Sequence, residues 1–389
     1  MINKALLEEE FQDIRDVSFF NAAYVVIPPK RSQAAYHGFM NDYIAIYGEE
    51  VTSKVWPMID EARKELAKVI NCEPEEIGFT KNTAEAVGII ANGYPFKPGD
   101  NVIVTDLEHT SNINAWINQR RKGLDLKVVK SHEGAIDIND IFAAVDEHTV
   151  AIATSTVTFS SGFRIDLDKL GAFCHEKGLR LFLDGIQSCG RLLIDVKKQH
   201  IDSLAIGGNK GLLATLGVGF LYCKKDLIQS VIPPYAGYQS TIPSVDPRVT
   251  TDFTQIHWRD DARRFESGNL NYAGIATLKA GASIINELGI ENIEEHIVML
   301  DKRLREGIKD ISLKVITPPE PIFHSGIVCI YYPIEHEKEV MEILHNRKIY
   351  TTMRSGYIRL GMHVYNTEED IDNAIAALKE IDKVAKVKK

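Results

Sequence analysis

The stretch Leu181-Phe-Leu-Asp-Gly-Ile-Gln-Ser-Cys-Gly190, followed by Gly207-Gly-Asn-Lys210-Gly211, decides how this chain is read. An apolar run, Leu181 to Leu183, stops abruptly at an acid, Asp184. Gln187 follows three residues later, and Lys210 stands 26 residues after the acid in a glycine-rich turn. A short apolar run of this kind reads as a buried strand. A carboxylate at its end must find a partner, because desolvating it alone is costly.

Working outward, strand-like and helical segments alternate from about residue 60 to 225. Glu76–Thr80, Asn101–Thr105, Leu126–Lys130, Val150–Thr154 and Arg180–Asp184 read as strands. Ile59–Val69, Ala84–Ala91, Asn112–Arg121, Ile138–Val145 and Leu167–Lys177 read as helices between them. Regular alternation of this type predicts an α/β fold with a largely parallel sheet covered by helices on both faces. Ligands in such sheets sit at the carboxyl ends of the strands. Thr80, Asp106 to His109, Thr154 to Ser161 and Asp184 all fall there.

Residues 228–262, rich in proline, glycine and aromatics, break the pattern and read as an irregular active-site or interface loop. The helical stretch Ala273–Leu288 leads away from this first unit. From Glu291 the order becomes helix, strand (Gly326–Tyr331), helix (Lys338–Asn346), strand (Tyr357–Leu360) and helix (Glu368–Lys383), a compact α+β pattern. The expected organisation is a large domain over 21–288 and a small C-terminal domain over 289–389. Residues 1–20 would pack on the small domain or on a partner subunit. No internal repeat is visible.

A chain of 389 residues exceeds one small core, which agrees with two units. With 44% hydrophobic and 25% charged residues and no low-complexity tract, the composition is that of a soluble globular protein. A net charge of −9 argues against general nucleic-acid binding. The basic end, Lys383 to Lys389, reads as a frayed terminus. No run approaches the ~18 apolar residues of a membrane span, and the acidic start lacks a signal-peptide core. Five scattered cysteines without CxxC spacing fit reduced thiols in the cytoplasm, and no metal site is expected.

Asn82-Thr83-Ala84-Glu85 follows a strand and opens a helix, where free N–H groups and a hydroxyl suit a phosphate. A plain helix cap is the simpler alternative. His109 lies just past a strand end, beside the other candidates. A buried carboxylate such as Asp184 can pair with a protonated pyridine nitrogen, and an amine such as Lys210 can form a Schiff base with an aldehyde. Those are the two contacts a pyridoxal phosphate enzyme must supply.

Seven ordered motifs carry a family resemblance. They are Asn21-Ala-Ala23, Asn82-Thr-Ala-Glu85, Glu108-His-Thr-Ser-Asn112, Asp184-Gly-Ile-Gln-Ser-Cys-Gly190, Gly208-Asn-Lys210 with Gly217-Val-Gly-Phe-Leu221, Arg264-Phe-Glu-Ser-Gly-Asn269, and Arg359-Leu-Gly-Met-His-Val-Tyr-Asn-Thr367. Over nearly its full length the chain resembles the class V aminotransferase and cysteine desulfurase family, of fold type I. The resemblance implies a large domain with a mostly parallel, seven-stranded sheet and a small C-terminal domain. It implies pyridoxal 5'-phosphate as cofactor, a small amino-acid substrate, and a homodimer with shared active sites.

Residue by residue, the resemblance implies that Lys210 forms the Schiff base with the cofactor and Asp184 pairs with its pyridinium. Gln187 would contact the phenolic oxygen. His109 would stack on the ring and could shuttle protons. Thr83, with Ala84 and Asn209, would bind phosphate, and Asn269 would reach across the dimer interface. Arg359 would clamp the substrate carboxylate, with Ala23 beside it; a planar guanidinium suits that bidentate contact.

Departures from the family pattern are equally informative. Gly207-Gly-Asn-Lys210 replaces the usual Ser-Gly-His-Lys, and Val157-Thr-Phe-Ser-Ser-Gly162 replaces a Ser-Asn pair that would give a second ring contact. The nucleophilic loop cysteine of desulfurases is missing, since no cysteine lies between Ile330 and Lys389. Cys189 and Cys329 sit in apolar patterns, where thiols are inert. The expected activity is therefore Cα deprotonation of a small α-amino acid by Lys210, ending in C–S lyase-type β-elimination or epimerisation. The alternatives are an aminotransferase (Arg354 being a candidate second arginine), a cysteine desulfurase, and a cofactor-binding protein without turnover.

Overall fold

The computed structural model describes residues 2–14, 16–43, 51–242, 254–354 and 356–387. The predicted strands form as β2 (Ile77–Thr80), β3 (Asn101–Thr105), β4 (Asp125–Val129), β5 (Thr149–Ser155) and β6 (Arg180–Asp184). Two strands that the alternation did not reveal complete the sheet: β7 (Ser203–Gly207) and β8 (Gly219–Cys223). The order across seven strands is β2-β8-β7-β6-β5-β3-β4. Strands β3 to β7 pair in parallel, and β8 runs antiparallel to both β7 and β2. The sheet is thus mostly parallel, as expected.

Successive side chains of each strand point to opposite faces, and here both faces are apolar. Ile103, Ile152, Leu181, Leu183, Leu204 and Phe220 join one core. Their neighbours Val102, Ala151, Ala153, Phe182, Ala205 and Leu221 join another on the opposite side. Two-sided burial explains why Leu181 to Leu183 is a continuous apolar run without alternation. Phe182 stacks on Trp116 with ring centroids 5.6 Å apart. Each such side chain contributes roughly 1.5–3 kcal/mol on full burial.

The covering helices start and stop where local chemistry requires. Asn82 caps the helix Thr83–Gly93 by accepting from the Glu85 amide, and Asp166 caps Leu167–Lys177 in the same way from Lys169. Gly178, with φ of 67°, ends the latter in the left-handed region.

After the helices Tyr272–Leu288 and Ile290–Gly307, a second layer is built on an antiparallel sheet of β9 (Ile327–Tyr331), β11 (Thr352–Arg354) and β12 (Tyr357–Gly361), ordered β11-β12-β9. Near the N-terminus, β1 (Ser18–Phe19) pairs in parallel with β10 (Ile349–Tyr350), and Asn21 bridges to Gly361. The segment containing Ala23 is thereby tied to the C-terminal layer. Part of the irregular stretch predicted over 228–262, residues 243–253, lies outside the described residues. Among the described residues no helix is long and apolar enough to cross a membrane, and no group of three or more metal-ligating side chains occurs.

Candidate active site

Strands β3, β5 and β6 end at the same edge, and Ser155 lies opposite Asp184 in the parallel register. The segments leaving those ends carry His109, Phe159 and Gln187, while the turn after β7 carries Lys210. A cavity of about 250 Å³ at this edge is lined by Thr83, Ala84, His109, Asp184, Gln187 and Lys210. Residues far apart in sequence therefore meet because parallel strands present all their carboxyl ends on one side.

Asp184 is buried, and its Oδ1 accepts the Ile186 amide at 3.0 Å. Burial pushes its carboxyl up, opposed by that amide; nearby Glu108 adds to the rise and Lys210 opposes it. A cationic N–H donor in the cavity would supply the counter-charge that the protein leaves short. Burial likewise holds the Lys210 ammonium down, with Asp184 acting against it and Arg359 and Arg191 reinforcing it.

His109 caps the helix Thr110–Gln119, its Nδ1 accepting the Ser111 amide at 3.1 Å. That contact leaves the proton of the neutral ring on Nε2. Burial, and after it the charges of Lys210, Arg354 and Arg359, lower its pKa and favour the neutral form. The ring meets Phe159 edge-on, centroids 4.8 Å apart. Gln187 donates Nε2 to the Ala23 carbonyl at 3.0 Å, so Ala23 acts through its backbone, and the buried Oε1 has no protein partner.

At the helix opening, the cap is Asn82, which leaves Thr83 as the first helical residue with a buried, unpartnered Oγ1. A Cβ placed on Gly207 would stand 3.3 Å from both Thr83 Oγ1 and Asn209 Oδ1. These two polar atoms therefore border one small space that glycine keeps open. Asn209 also donates Nδ2 to the Tyr24 carbonyl at 3.4 Å. Asn269 stands apart: it is exposed, outside this cavity, and accepts from Tyr238 Oη at 2.6 Å.

Arg359, on β12, approaches from the C-terminal layer. It is 6% exposed, donates Nη1 to the Phe159 carbonyl at 2.9 Å and Nη2 to Thr352 Oγ1 at 3.4 Å, and leaves Nε unpartnered. Val157 and Phe159 give the cavity an apolar wall. Thr158 Oγ1 is instead engaged by Ser161 at 2.7 Å. The Ser-Asn substitution thus puts hydrophobic groups where a second polar ring contact was in question.

Two residues with central positions were given no role by the sequence reading. Glu108 accepts from Thr105, Asn112, Thr154 and from both the amide and hydroxyl of Ser155, which ties β3 and β5 to the His109 helix. Its place one residue before His109 at a strand end was a usable signal. Arg191, behind Gln187, had none beyond being a charge in an apolar flank.

The donor set fits pyridoxal phosphate: a helix N-terminus with an unpartnered hydroxyl for phosphate, a buried acid for the ring nitrogen, a flat imidazole and a desolvated lysine. Comparison with known proteins points the same way. The family model described as aminotransferase class-V matches residues 19–374. A probable cysteine desulfurase of Methanothermobacter thermautotrophicus is 31% identical, with 95% of each chain covered. The apo structure of a cysteine desulfurase from Thermococcus onnurineus superposes with a TM-score of 0.88 at 26% identity over 99% of each chain. A cystine C–S lyase, in complex with its reaction product cysteine persulfide, shares the fold with a TM-score of 0.86 at 23% identity, covering 96% of this chain and all of its own.

Proposed function

The chain belongs to the class V aminotransferase family and is a pyridoxal phosphate enzyme, and from that premise we propose that it cleaves the β C–S bond of a small α-amino acid without using a cysteine nucleophile. When bound, pyridoxal phosphate supplies an electron sink that weakens bonds to the substrate Cα. Lys210 would hold the cofactor aldehyde through Nζ, and once the substrate amine displaces it there, the freed Nζ amine would accept the Cα proton. Asp184 would accept the ring N–H and keep that nitrogen charged. Thr83 Oγ1 and the amides of Thr83 and Ala84, with Asn209, would hold the phosphate. His109 would pack against the ring. Gln187, its amide fixed by Ala23, would contact the phenolic oxygen, and Arg359 would take the α-carboxylate.

The observation that carries this reading concerns the thiols. All five cysteines are buried, none lines the cavity, and burial pushes Cys174 and Cys329 up to about 12 and raises Cys72, Cys189 and Cys223 further. A nucleophilic thiol needs a reachable thiolate. The named relatives favour the desulfurase as a second reading. Incubating the holoenzyme with L-cysteine while following pyruvate, sulfide and pyridoxamine phosphate separates these readings. Pyruvate formation that survives each single Cys→Ala change supports the lyase. Loss of sulfide release in one such variant restores the desulfurase, and pyridoxamine phosphate accumulation makes it an aminotransferase.

Part of the same proposal is a homodimer. Ile232, Tyr235, Tyr238, Ile242 and Ile256 are all more than half exposed and cluster in one stretch of sequence with Asn269 attached through Tyr238. Such a patch suits burial against a second copy, with Asn269 serving the partner's phosphate site. Sedimentation at twice the chain mass is the expected result. The division at 288/289, with residues 1–20 attached to the C-terminal part, belongs to this reading too.

A further inference from the structure

Arg191 is completely buried, and among the described residues its guanidinium hydrogen-bonds to backbone oxygens. Nη1 donates to the Gln187 carbonyl at 2.7 Å and Nε to that of Met362 at 3.0 Å. Nη2 donates to the carbonyls of Ser325 at 3.2 Å and Gly326 at 3.3 Å. Met362 directly follows β12 and Gly326 directly precedes β9, the strand that pairs with it. One side chain thus fastens the central strand β12 and the edge strand β9 of the C-terminal layer to the turn that carries Gln187.

The same side chain also touches the lysine turn. A Cβ on Gly211 would lie 3.1 Å from Arg191 Cγ and 1.9 Å from the Cys189 carbonyl oxygen, so this backbone tolerates only glycine. From the other side, His363 Nε2 lies 3.2 Å from the Gly211 carbonyl, and its Nδ1 accepts the Val364 amide at 2.7 Å. The imidazole must therefore donate to Gly211 and stays neutral, burial holding its pKa down at about 3. No carboxylate hydrogen-bonds to Arg191 among the described residues; Asp301 and Tyr365 act on it from a distance. A fully buried cation without an ion-pair partner is costly, and four carbonyl dipoles offset that cost here.

We infer that Arg191 is a positioning residue for the chemistry at Lys210: it sets the register between Arg359 and the Gln187–Lys210 floor, and it keeps a positive charge behind the lysine. The groups acting on Lys210 are Asp184, Arg359 and Arg191, and the lysine in turn acts on His109. Removing one of the two arginine charges leaves Asp184 less opposed, which favours the protonated amine.

This inference rests on Lys210 being the cofactor lysine. Arg191→Met keeps the volume and removes the charge, whereas Arg191→Lys keeps the charge but cannot span four carbonyls. The readout is the pH titration of the visible absorbance of the lysine-bound cofactor in the holoenzyme, with KM and kcat for L-cysteine. The Met variant is expected to titrate about half a pH unit or more above wild type. The Lys variant should keep the wild-type midpoint and kcat while KM rises on the order of tenfold. A merely structural residue would lower thermal stability and leave both readouts unchanged. A wild-type midpoint in the Met variant, or a wild-type KM in the Lys variant, overturns the inference. If the Met variant does not fold, the KM of the Lys variant decides alone. Lys210→Ala is the control: retained visible absorbance there would refute the proposed site itself, independently of Arg191.

Discussion

Glu108, in the turn just past β3, and Asp184, at the end of β6, are carboxylates at the same edge of the sheet with β5 between their strands, yet the protein treats them oppositely. Glu108 receives five hydrogen bonds from four residues, all internal. Asp184 is buried more deeply, receives one amide, and its carboxyl is pushed up. A half-buried acid that the fold fully satisfies works as a fastener, while a buried one left short of donors is a place for a ligand's positive charge. The arginines repeat the contrast. Arg191 spends its guanidinium on four backbone carbonyls, whereas Arg359 keeps Nε unpartnered.

If that contrast is right, substitutions in the unsatisfied set should remove function and spare the fold. Lys210→Ala should have the largest effect: loss of the visible absorbance of the lysine-bound cofactor and a fall in turnover of about 10²–10⁴-fold, checked by absorbance and steady-state assay. Asp184→Asn comes next, with turnover down on the order of 10²-fold and thermal stability of the apoprotein unchanged or improved. An apoprotein markedly destabilised by this change would break the comparison, because it would make Asp184 a fastener as well. For Arg359→Lys, a charged hydrogen bond worth about 1.5–3 kcal/mol is lost, so KM should rise roughly 10- to 100-fold with little change in melting temperature.

Glu108→Gln tests the other side. Amide nitrogen cannot accept what a carboxylate oxygen accepts, so the hub loses hydrogen bonds and stability should drop by about 1–3 kcal/mol, measured by urea denaturation. Activity should fall far less than in Asp184→Asn. The last effect is confined to acid. The His363 pKa lies at about 3 in the fold against an ordinary 6.5, so unfolding takes up a proton below 6.5. Its contribution is therefore complete above pH 6.5 and is lost as pH falls towards 3. Replacing it by Gln should flatten the fall of melting temperature across that window.

Much of the parallel core was legible because its signals are local. Two-sided burial makes β3, β5 and β6 short apolar runs, and Asp184 and Lys210 stand out as charges interrupting apolar or glycine-rich sequence. Strands β7 and β8 were missed because each follows a turn and reads as part of a motif; only their pairing with β6 and β2 makes them strands. The partner of Arg359 was equally hidden. Its Nη1 donates to a backbone carbonyl at Phe159, 200 residues away, and a carbonyl has no residue type to read. Asn269 looked like a member of the phosphate set, but in one chain it is held outside the cavity by Tyr238.

The sequence by itself determined the fold class and, through its motifs, the family and its cofactor, and it singled out Asp184 and Lys210, which line one cavity, because strand burial, helix opening and charge in apolar surroundings are properties of short segments. Tertiary structure alone decided which polar groups are satisfied. It closed Glu108 and Arg191 into the framework, left Asp184, Thr83 Oγ1 and Gln187 Oε1 short of partners at the cavity, and left Arg359 Nε unpartnered nearby. The physical reason is that satisfaction is settled by donors and acceptors, most of them backbone, brought together from distant parts of the chain.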